Sequence, residues 1–288
     1  MKRALVLSGG GAKAAFQAGV IRGLALAGQP GFDFVTGLSV GAINAAGLAQ
    51  FDKADFVKAS RWLETLWTQQ KVSLCRLTRW SWLRGWKRAY LGHNSALQKL
   101  IATNIDLHRV KTSDVALLVH AVDLSSGDVR SFGDQSAYLN DGMMGCASLP
   151  VIHPPHKAGE RSLCDGATVK MDPVGEAVDR GAEHITVVLD VDPMAPVKAD
   201  VPQSAPAMLA HVLDLNARAA LTQDLFRCQH INKHIGRYAQ AGKHVVKLSV
   251  IMPEQPLGDS LDYSPARLRL LFEAGVKRGK ADVAITVK

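Results

Sequence analysis

A serine lies in the tight connection between a mostly apolar segment and a segment of small residues. Residues 32–35 predict a short strand, and the alanine-rich residues 40–49 predict a helix. Between them stands the pattern Gly-x-Ser-x-Gly, formed by Gly37, Ser39 and Gly41. A strand, a sharp turn and a helix are the context of a nucleophile elbow, in which glycine avoids the collisions that side chains would make. The pattern therefore predicts a serine hydroxyl held at the positive end of a helix.

Only three positions of this pattern are fixed, so a purely structural serine is the alternative, and the rest of the chain has to decide. Apolar strand candidates alternate with helix candidates along the sequence. Residues 115–132 read as a β-hairpin, 193–206 as a proline-rich surface loop and 265–280 as a final helix. This alternation predicts an α/β protein with three layers, α/β/α, around a mainly parallel sheet. We interpret residues 1–288 as a single domain, with about 60–105 as a helical cap or insertion.

The composition narrows the class of protein. No apolar run reaches the roughly 18 residues that a membrane-spanning helix needs. The apolar start of the chain ends after Leu7, so we interpret it as the first strand of a cytoplasmic protein and not as a signal peptide. The four cysteines form no C-x-x-C pair, which disfavours a disulfide framework or a zinc site. The net charge of +8 favours anionic partners.

A glycine-rich loop follows the first strand candidate. Ser8 precedes three consecutive glycines, and Ala12 and Lys13 lead into an apolar helical pattern. Bare backbone N–H groups at such a junction bind an anion, which is either a nucleotide phosphate or the oxyanion of an acyl-transfer intermediate. The Walker A spacing fails here, and a dinucleotide pattern is only partly matched, with Asp33 as its candidate ribose acid.

Six stretches of the sequence carry a resemblance. They are residues 8–13, 17–20, 37–44, 147–150, 154–155 and 165–167, the last reading Asp-Gly-Ala. In this order they resemble the motifs of the patatin-like phospholipase family, strongly over about 4–190 and weakly over 245–280. The chain departs from the family pattern at Ala14, where glycine is frequent, and at Met171, where asparagine is frequent.

The resemblance implies a fold, an activity and a set of site residues. The expected activity is lipid acyl hydrolysis by a Ser39–Asp165 dyad, without a histidine, a metal or another cofactor. The expected oxyanion hole consists of backbone N–H groups of Gly9, Gly10, Gly11 and Ala12, with Val40 as a further candidate donor. The residues expected to support these motifs are Lys13, Gly37, Gly41, Gly166 and Ala167. A free aspartate is a weak base, so the dyad requires direct contact in a partly desolvated site.

The histidines offer the usual alternative base. Five downstream histidines are candidates: His184, His211, His230, His234 and His244. None lies in a glycine-flanked loop after an apolar strand, where such a base is normally presented. His230 and His234 share a helix face, but no glutamate accompanies them as in His-Glu-x-x-His, which disfavours a metal pair.

A tryptophan-rich and basic stretch sets one region apart. All five tryptophans lie between Trp62 and Trp86, and no acidic residue occurs from Lys71 to Asn104. Residues 71–90 therefore suit peripheral contact with an anionic membrane surface, or a helical cap whose rings are core and whose cations reach water. Nucleic-acid binding is the weakest of these hypotheses, and no such partner is expected.

The sequence thus favours a phospholipase A or esterase that acts on a lipid or phospholipid substrate. Two other classes stay open. One is a nucleotide- or anion-binding module built on the loop from Gly9 to Lys13, and the other is a weakly active, membrane-associated protein.

Overall fold

The computed structural model describes six parts of the chain: residues 1–69, 90–166, 173–192, 205–235, 244–281 and 285–287. The strands in these parts are β1 (Arg3–Leu7), β2 (Phe34–Gly37), β3 (Ala116–Asp123), β4 (Val129–Gly133), β5 (His156–Ala158), β6 (Arg161–Asp165), β7 (His184–Val188), β8 (Lys247–Ile251) and β9 (Ile285–Val287). The helices are α1 (Ala14–Leu26), α2 (Val40–Leu48), α3 (Phe56–Thr68), α4 (Ser95–Asn104), α5 (Leu107–Thr112), α6 (Leu139–Cys146), α7 (Pro173–Asp179), α8 (Ala205–Lys233) and α9 (Pro265–Lys280).

The centre of the sheet is parallel and its margins are antiparallel. The central strands follow the order β3-β2-β1-β7-β8, and every neighbouring pair among them is parallel. Strand β9 pairs antiparallel with β8, and β4, β5 and β6 add antiparallel pairs at the other margin. Short apolar strands of this kind are buried on both faces because helices cover both faces.

Two apolar clusters lie on opposite faces of the sheet. Leu5 and Leu7 of β1 pack in one cluster, with residues of α1, α2, α3 and α9. Ala4 and Val6 pack in the other, with residues of α7 and α8. Because alternate side chains of a strand point to opposite faces, the two clusters define three layers. The predicted three-layer α/β architecture with a mainly parallel sheet is confirmed.

Strand β3 arranges its neighbours in an unusual way. Leu118 and Val119 pair with both β2 and β4, whereas Ala121 and Val122 pair with both β4 and β6. A strand has only two edges, so β4 occupies one edge, and β2 and β6 follow each other along the second edge. Since β6 runs antiparallel to β3, its carboxyl end points back toward the carboxyl end of β2.

Helices α1 and α9 pack at very short range. A Cβ on Gly19 would lie 2.0 Å from the carbonyl oxygen of Phe272, and a Cβ on Gly275 would lie 2.1 Å from that of Phe16. Glycine is therefore required for this approach. The contact fixes α1, and with it the glycine-rich loop that precedes α1.

Several local predictions are confirmed and some elements were not foreseen. The β-hairpin is present as β3 and β4, and the last long helix has the predicted bounds. Strands β5 and β9 were not predicted, because each has only three residues. The predicted loop at 193–206 lies mostly outside the described residues. Among the residues described, no helix has an apolar stretch long enough to cross a bilayer.

Candidate active site

Ser39 lies in the turn between β2 and α2 and has a strained backbone. Its φ is 53° and its ψ is −129°, a conformation that residues other than glycine rarely adopt. It stands at the N-cap position of α2, yet its side chain makes no capping hydrogen bond. A Cβ on Gly37 would lie 2.4 Å from the carbonyl oxygen of Gly41, and one on Gly41 would lie 2.3 Å from that of Ser8. The crowding expected at both glycines is present.

Asp165 is the last residue of β6 and is fully buried. Its N–H donates a 3.0 Å hydrogen bond to the carbonyl oxygen of Ser148. A Cβ on Gly166 would lie 2.4 Å from the carbonyl oxygen of His120, so glycine lets the chain leave β6 close to β3.

The sheet register brings the ends of β2 and β6 together. Gly37 pairs with Val119 and Asp165 pairs with Ala121, on the same edge of β3. Two residues of a strand span about 6.6 Å. Ser39 follows Gly37 by two residues, so the turn that carries it leaves the end of β2 that faces the end of β6.

The thiol of Cys146 lies beside the backbone of Ser39. Its Sγ lies 3.9 Å from the carbonyl oxygen of Ser39. Burial raises the pKa of this thiol, and the negative charge of Asp165 raises it further. The buried thiol therefore contacts the serine backbone and lies near enough to Asp165 to feel its charge.

The glycine-rich loop lies beside this pair of strand ends. Gly11 has a φ of +58°, and a Cβ there would lie 2.3 Å from the carbonyl oxygen of Ser260. The N–H of Ala12 donates to that same oxygen at 2.8 Å, and the N–H of Lys13 donates to the carbonyl oxygen of Gly10 at 3.1 Å. The N–H of Ala12, an expected oxyanion donor, is therefore already engaged, whereas the N–H groups of Gly9, Gly10 and Gly11 donate to no backbone oxygen among the described residues.

Buried polar side chains of the surrounding helices form hydrogen bonds that hold the glycine-rich loop in place. Gln17 donates to the carbonyl oxygen of Ser8 at 2.7 Å, and Asn44 donates to the side chain of Gln17 at 3.3 Å. The indole of Trp67 donates to Asn44 at 2.8 Å. These bonds join the loop to α1, α2 and α3.

Lys13 lies inside the protein and forms an ion pair. Its Nζ is 3.9 Å from Oδ2 of Asp190, and both side chains are almost fully buried. This ion pair joins the glycine-rich loop to the segment that follows β7.

The alternative bases and ligands lie elsewhere. Asp33, the candidate ribose acid, precedes β2 at the amino edge of the sheet, where it pairs with Lys53 at 2.5 Å. His184 begins β7 at the same edge, and His244 bonds the carbonyl oxygen of Ala182. The rings of His230 and His234 lie against each other, with centroids 4.7 Å apart and planes tilted by 53°. No group of three metal-ligating side chains occurs in the described residues.

Some predicted positions lie outside the described residues. They are Ala167, Met171 and most of the basic stretch, 71–89. Trp67 is described and is core, at 2% exposed. Trp67 therefore packs in the protein core, and it lies before the stretch 71–90 for which membrane contact is predicted.

Sequence reasoning missed three residues around the site. Cys146 carries no signal in the sequence, because it ends an ordinary helix of small residues. Asp190 does carry one, since it follows a buried apolar strand at the edge where sites of parallel sheets form. Ser260 lies in a polar loop far along the chain, and only the fold brings its carbonyl to Ala12.

A strained serine at a strand–helix turn, in a three-layer α/β fold, is typical of serine-dependent hydrolases. A family model described as patatin-like phospholipase matches residues 5–178, which is more than half of the chain, so the protein belongs to this family. No curated protein matches.

Solved structures give distant likenesses. VipD from Legionella pneumophila is 13% identical, with a TM-score of 0.48, over 96% of this chain and 66% of that chain. The type III effector protein ExoU is 14% identical, with a TM-score of 0.37, over 97% of this chain and 52% of that chain. ExoU in its heterodimeric complex with SpcU, from Pseudomonas aeruginosa, is 18% identical, with a TM-score of 0.32, over 83% of this chain and 52% of that chain. The chain therefore spans less than two thirds of these proteins.

Proposed function

We propose that the protein is a lipid acyl hydrolase that cleaves fatty-acyl esters through a Ser39–Asp165 dyad. The observation that carries the proposal is the end-to-end arrangement of β2 and β6 on one edge of β3. This arrangement supports direct contact between a serine hydroxyl and a buried carboxylate. Family membership supports the lipid substrate.

The chemistry takes two steps. Asp165 accepts the proton of the Ser39 hydroxyl while Oγ attacks the acyl carbon, and the proton then passes to the leaving alcohol as the ester C–O bond breaks. Asp165 next takes a proton from water, whose oxygen attacks the acyl-enzyme and releases the fatty acid. The proton returns to Ser39, so the enzyme ends as it began.

The oxyanion needs fixed donors on the other side of the acyl carbon. We assign this role to the N–H groups of Gly10 and Gly11, with Gly9 and Val40 as neighbours, and we leave out Ala12 because it bonds Ser260. Removing one such donor typically costs about 2.7–4 kcal/mol of transition-state stabilisation. The strained φ of Ser39 supports the proposal, since strain of this kind collects at functional sites.

A fluorophosphonate probe and a p-nitrophenyl ester test the proposal. We expect the wild type to be labelled and to hydrolyse the ester. Ser39→Ala should abolish labelling and lower kcat/KM by about 10⁴-fold. Asp165→Asn should lower it by about 10³-fold, because only the base is lost.

The matched control is Asp123→Asn. Asp123 is also a buried carboxylate at the carboxyl end of a strand, but its side chain faces Arg161, at 4.0 Å. This variant should keep most of the activity. If the wild type neither labels nor hydrolyses the ester, the hydrolase proposal is wrong.

The anion-binding alternative gains no support from the geometry. Lys13 faces Asp190, and Asp33 lies at the opposite edge of the sheet from the glycine-rich loop. A nucleotide would have to bridge the whole depth of the sheet to contact both. Titration with ATP and NAD should therefore give no saturable binding.

A further inference from the structure

A buried ion pair lies directly beneath the glycine-rich loop. Asp190 is 4% exposed and Lys13 is 5% exposed. Besides its 3.9 Å contact with Lys13, the carboxylate accepts a 3.0 Å hydrogen bond from the hydroxyl of Ser8, and its own N–H donates to that hydroxyl at 3.1 Å. The pair therefore ties the end of β7 to both ends of the loop.

The carboxylate of Asp190 touches the part of the loop that would hold the oxyanion. A Cβ on Gly10 would lie only 1.8 Å from Oδ2 of Asp190, so this oxygen occupies the space that a side chain would need. A negative charge so close to a developing oxyanion opposes it, and burial leaves little solvent to screen the repulsion.

We propose that Lys13 and Asp190 act together as a positioning and charge-balancing pair for the oxyanion loop. Asp190 fixes Ser8 and Gly10 in place, and Lys13 neutralises the carboxylate so that the loop can accept a second negative charge. The inference rests on the proposed hydrolase function. Neither residue touches the reacting atoms.

The two residues should differ in their effect on the reaction. Lys13→Met removes the cation 3.9 Å from the carboxylate that lies against Gly10, so kcat should fall about 100-fold with little change in KM. Asp190→Asn removes that charge and keeps an oxygen that can accept from Ser8, so kcat should fall less than about tenfold. In the double variant the repulsion is gone as well, and kcat should recover to within about tenfold of the wild type.

The experiment measures kcat, KM and the fluorophosphonate labelling rate for the wild type and these three variants. Thermal unfolding checks that each variant is folded. The control is the pair of Lys53 and Asp33, which also joins a lysine to an aspartate, at 2.5 Å, but at the far edge of the sheet. Lys53→Met and Asp33→Asn should leave kcat unchanged.

The double variant decides the outcome. A folded, active double variant beside a folded but slow Lys13→Met supports the proposal. A Lys13→Met variant that does not fold, and whose folding Asp190→Asn restores, would mean that the pair is structural. Equal losses in both single variants, or a double variant no faster than Lys13→Met, would mean that the pair is only structural and would overturn it. A wild type without labelling or ester hydrolysis overturns the hydrolase function, and this inference with it.

Discussion

Cys146 shows how single residues around Ser39 depend on their surroundings. The thiol is fully buried, borders the carbonyl oxygen of Ser39 and lies within the field of Asp165. Its raised pKa keeps it protonated, so it packs and donates weakly instead of acting as a nucleophile. The residue therefore supports the strained turn.

This raised pKa predicts a loss of stability in alkali. Below the ordinary thiol pKa of about 8.5 both states hold the proton; above it the unfolded chain releases the proton and the folded chain does not. The free energy of unfolding should fall between pH 8 and pH 10 by about 2 kcal/mol more in the wild type than in Cys146→Ser. Urea denaturation at three pH values measures this, and parallel curves for the two proteins would contradict it.

Helices α1 and α9 carry a prediction at the scale of elements. Gly275→Ala would place a methyl group 2.1 Å from the carbonyl oxygen of Phe16. Helix propensity alone favours alanine by about 1 kcal/mol, whereas overpacking costs about 1–3 kcal/mol. We expect the overpacking to win and the free energy of unfolding to fall, as measured by urea denaturation. A more stable variant would show that the helices separate easily.

The pairing of β7 with β8 leads to a second prediction at the scale of elements, about stability in acid. His184 begins β7 and its Nε2 lies 2.9 Å from the hydroxyl of Ser249 on β8. Burial, followed by the nearby charges of Arg3 and Lys247, lowers the pKa of His184 to about 4. The ring stays neutral in the folded protein, while the unfolded chain takes up a proton below about pH 6.5.

Stability should therefore fall as the pH drops from about 6.5 toward 4. Between pH 7 and pH 5 the wild type should lose about 1 kcal/mol more than His184→Gln, a value reduced for the solvent that reaches this half-buried ring. Denaturation at both pH values tests this. An equal loss in the two proteins would mean that the histidine is protonated in the folded state.

At the scale of the whole molecule, the net charge of +8 and the basic stretch 71–90 predict binding to anionic vesicles. Changing Arg79, Arg84 and Arg88 to alanine should weaken the binding about 100-fold, at about 1 kcal/mol for each cation. Wild-type binding should also weaken with salt. Co-sedimentation with vesicles of phosphatidylcholine and phosphatidylglycerol measures both effects.

A control with the same change in net charge separates this stretch from the overall charge. Arg61, Arg130 and Arg161 lie outside the basic stretch. Changing these three to alanine should weaken binding much less. Equal binding by the wild type and the Arg79, Arg84 and Arg88 variant would exclude the stretch as a membrane contact.

The sequence by itself determined the local features of the structure, which depend only on residues that are neighbours along the chain. The turn around Ser39, the glycines that crowd it, the hairpin at 115–132 and the helix at 265–280 all follow from local patterns. The alternation of strands and helices was enough for the layered fold. Apolar periodicity and turn residues act over a few positions, so they can be read directly.

Only the tertiary structure decided which distant groups meet. No local pattern predicts that β6 pairs with the same edge of β3 as β2 does, beyond the end of β2. This register brings the end of β6, with Asp165, close to the end of β2, from which the turn of Ser39 leaves. The same holds for Asp190 beneath Gly10 and for Ser260 bonded to Ala12. Such contacts depend on strand register and on helix packing between segments far apart in the chain, and local patterns do not encode either one.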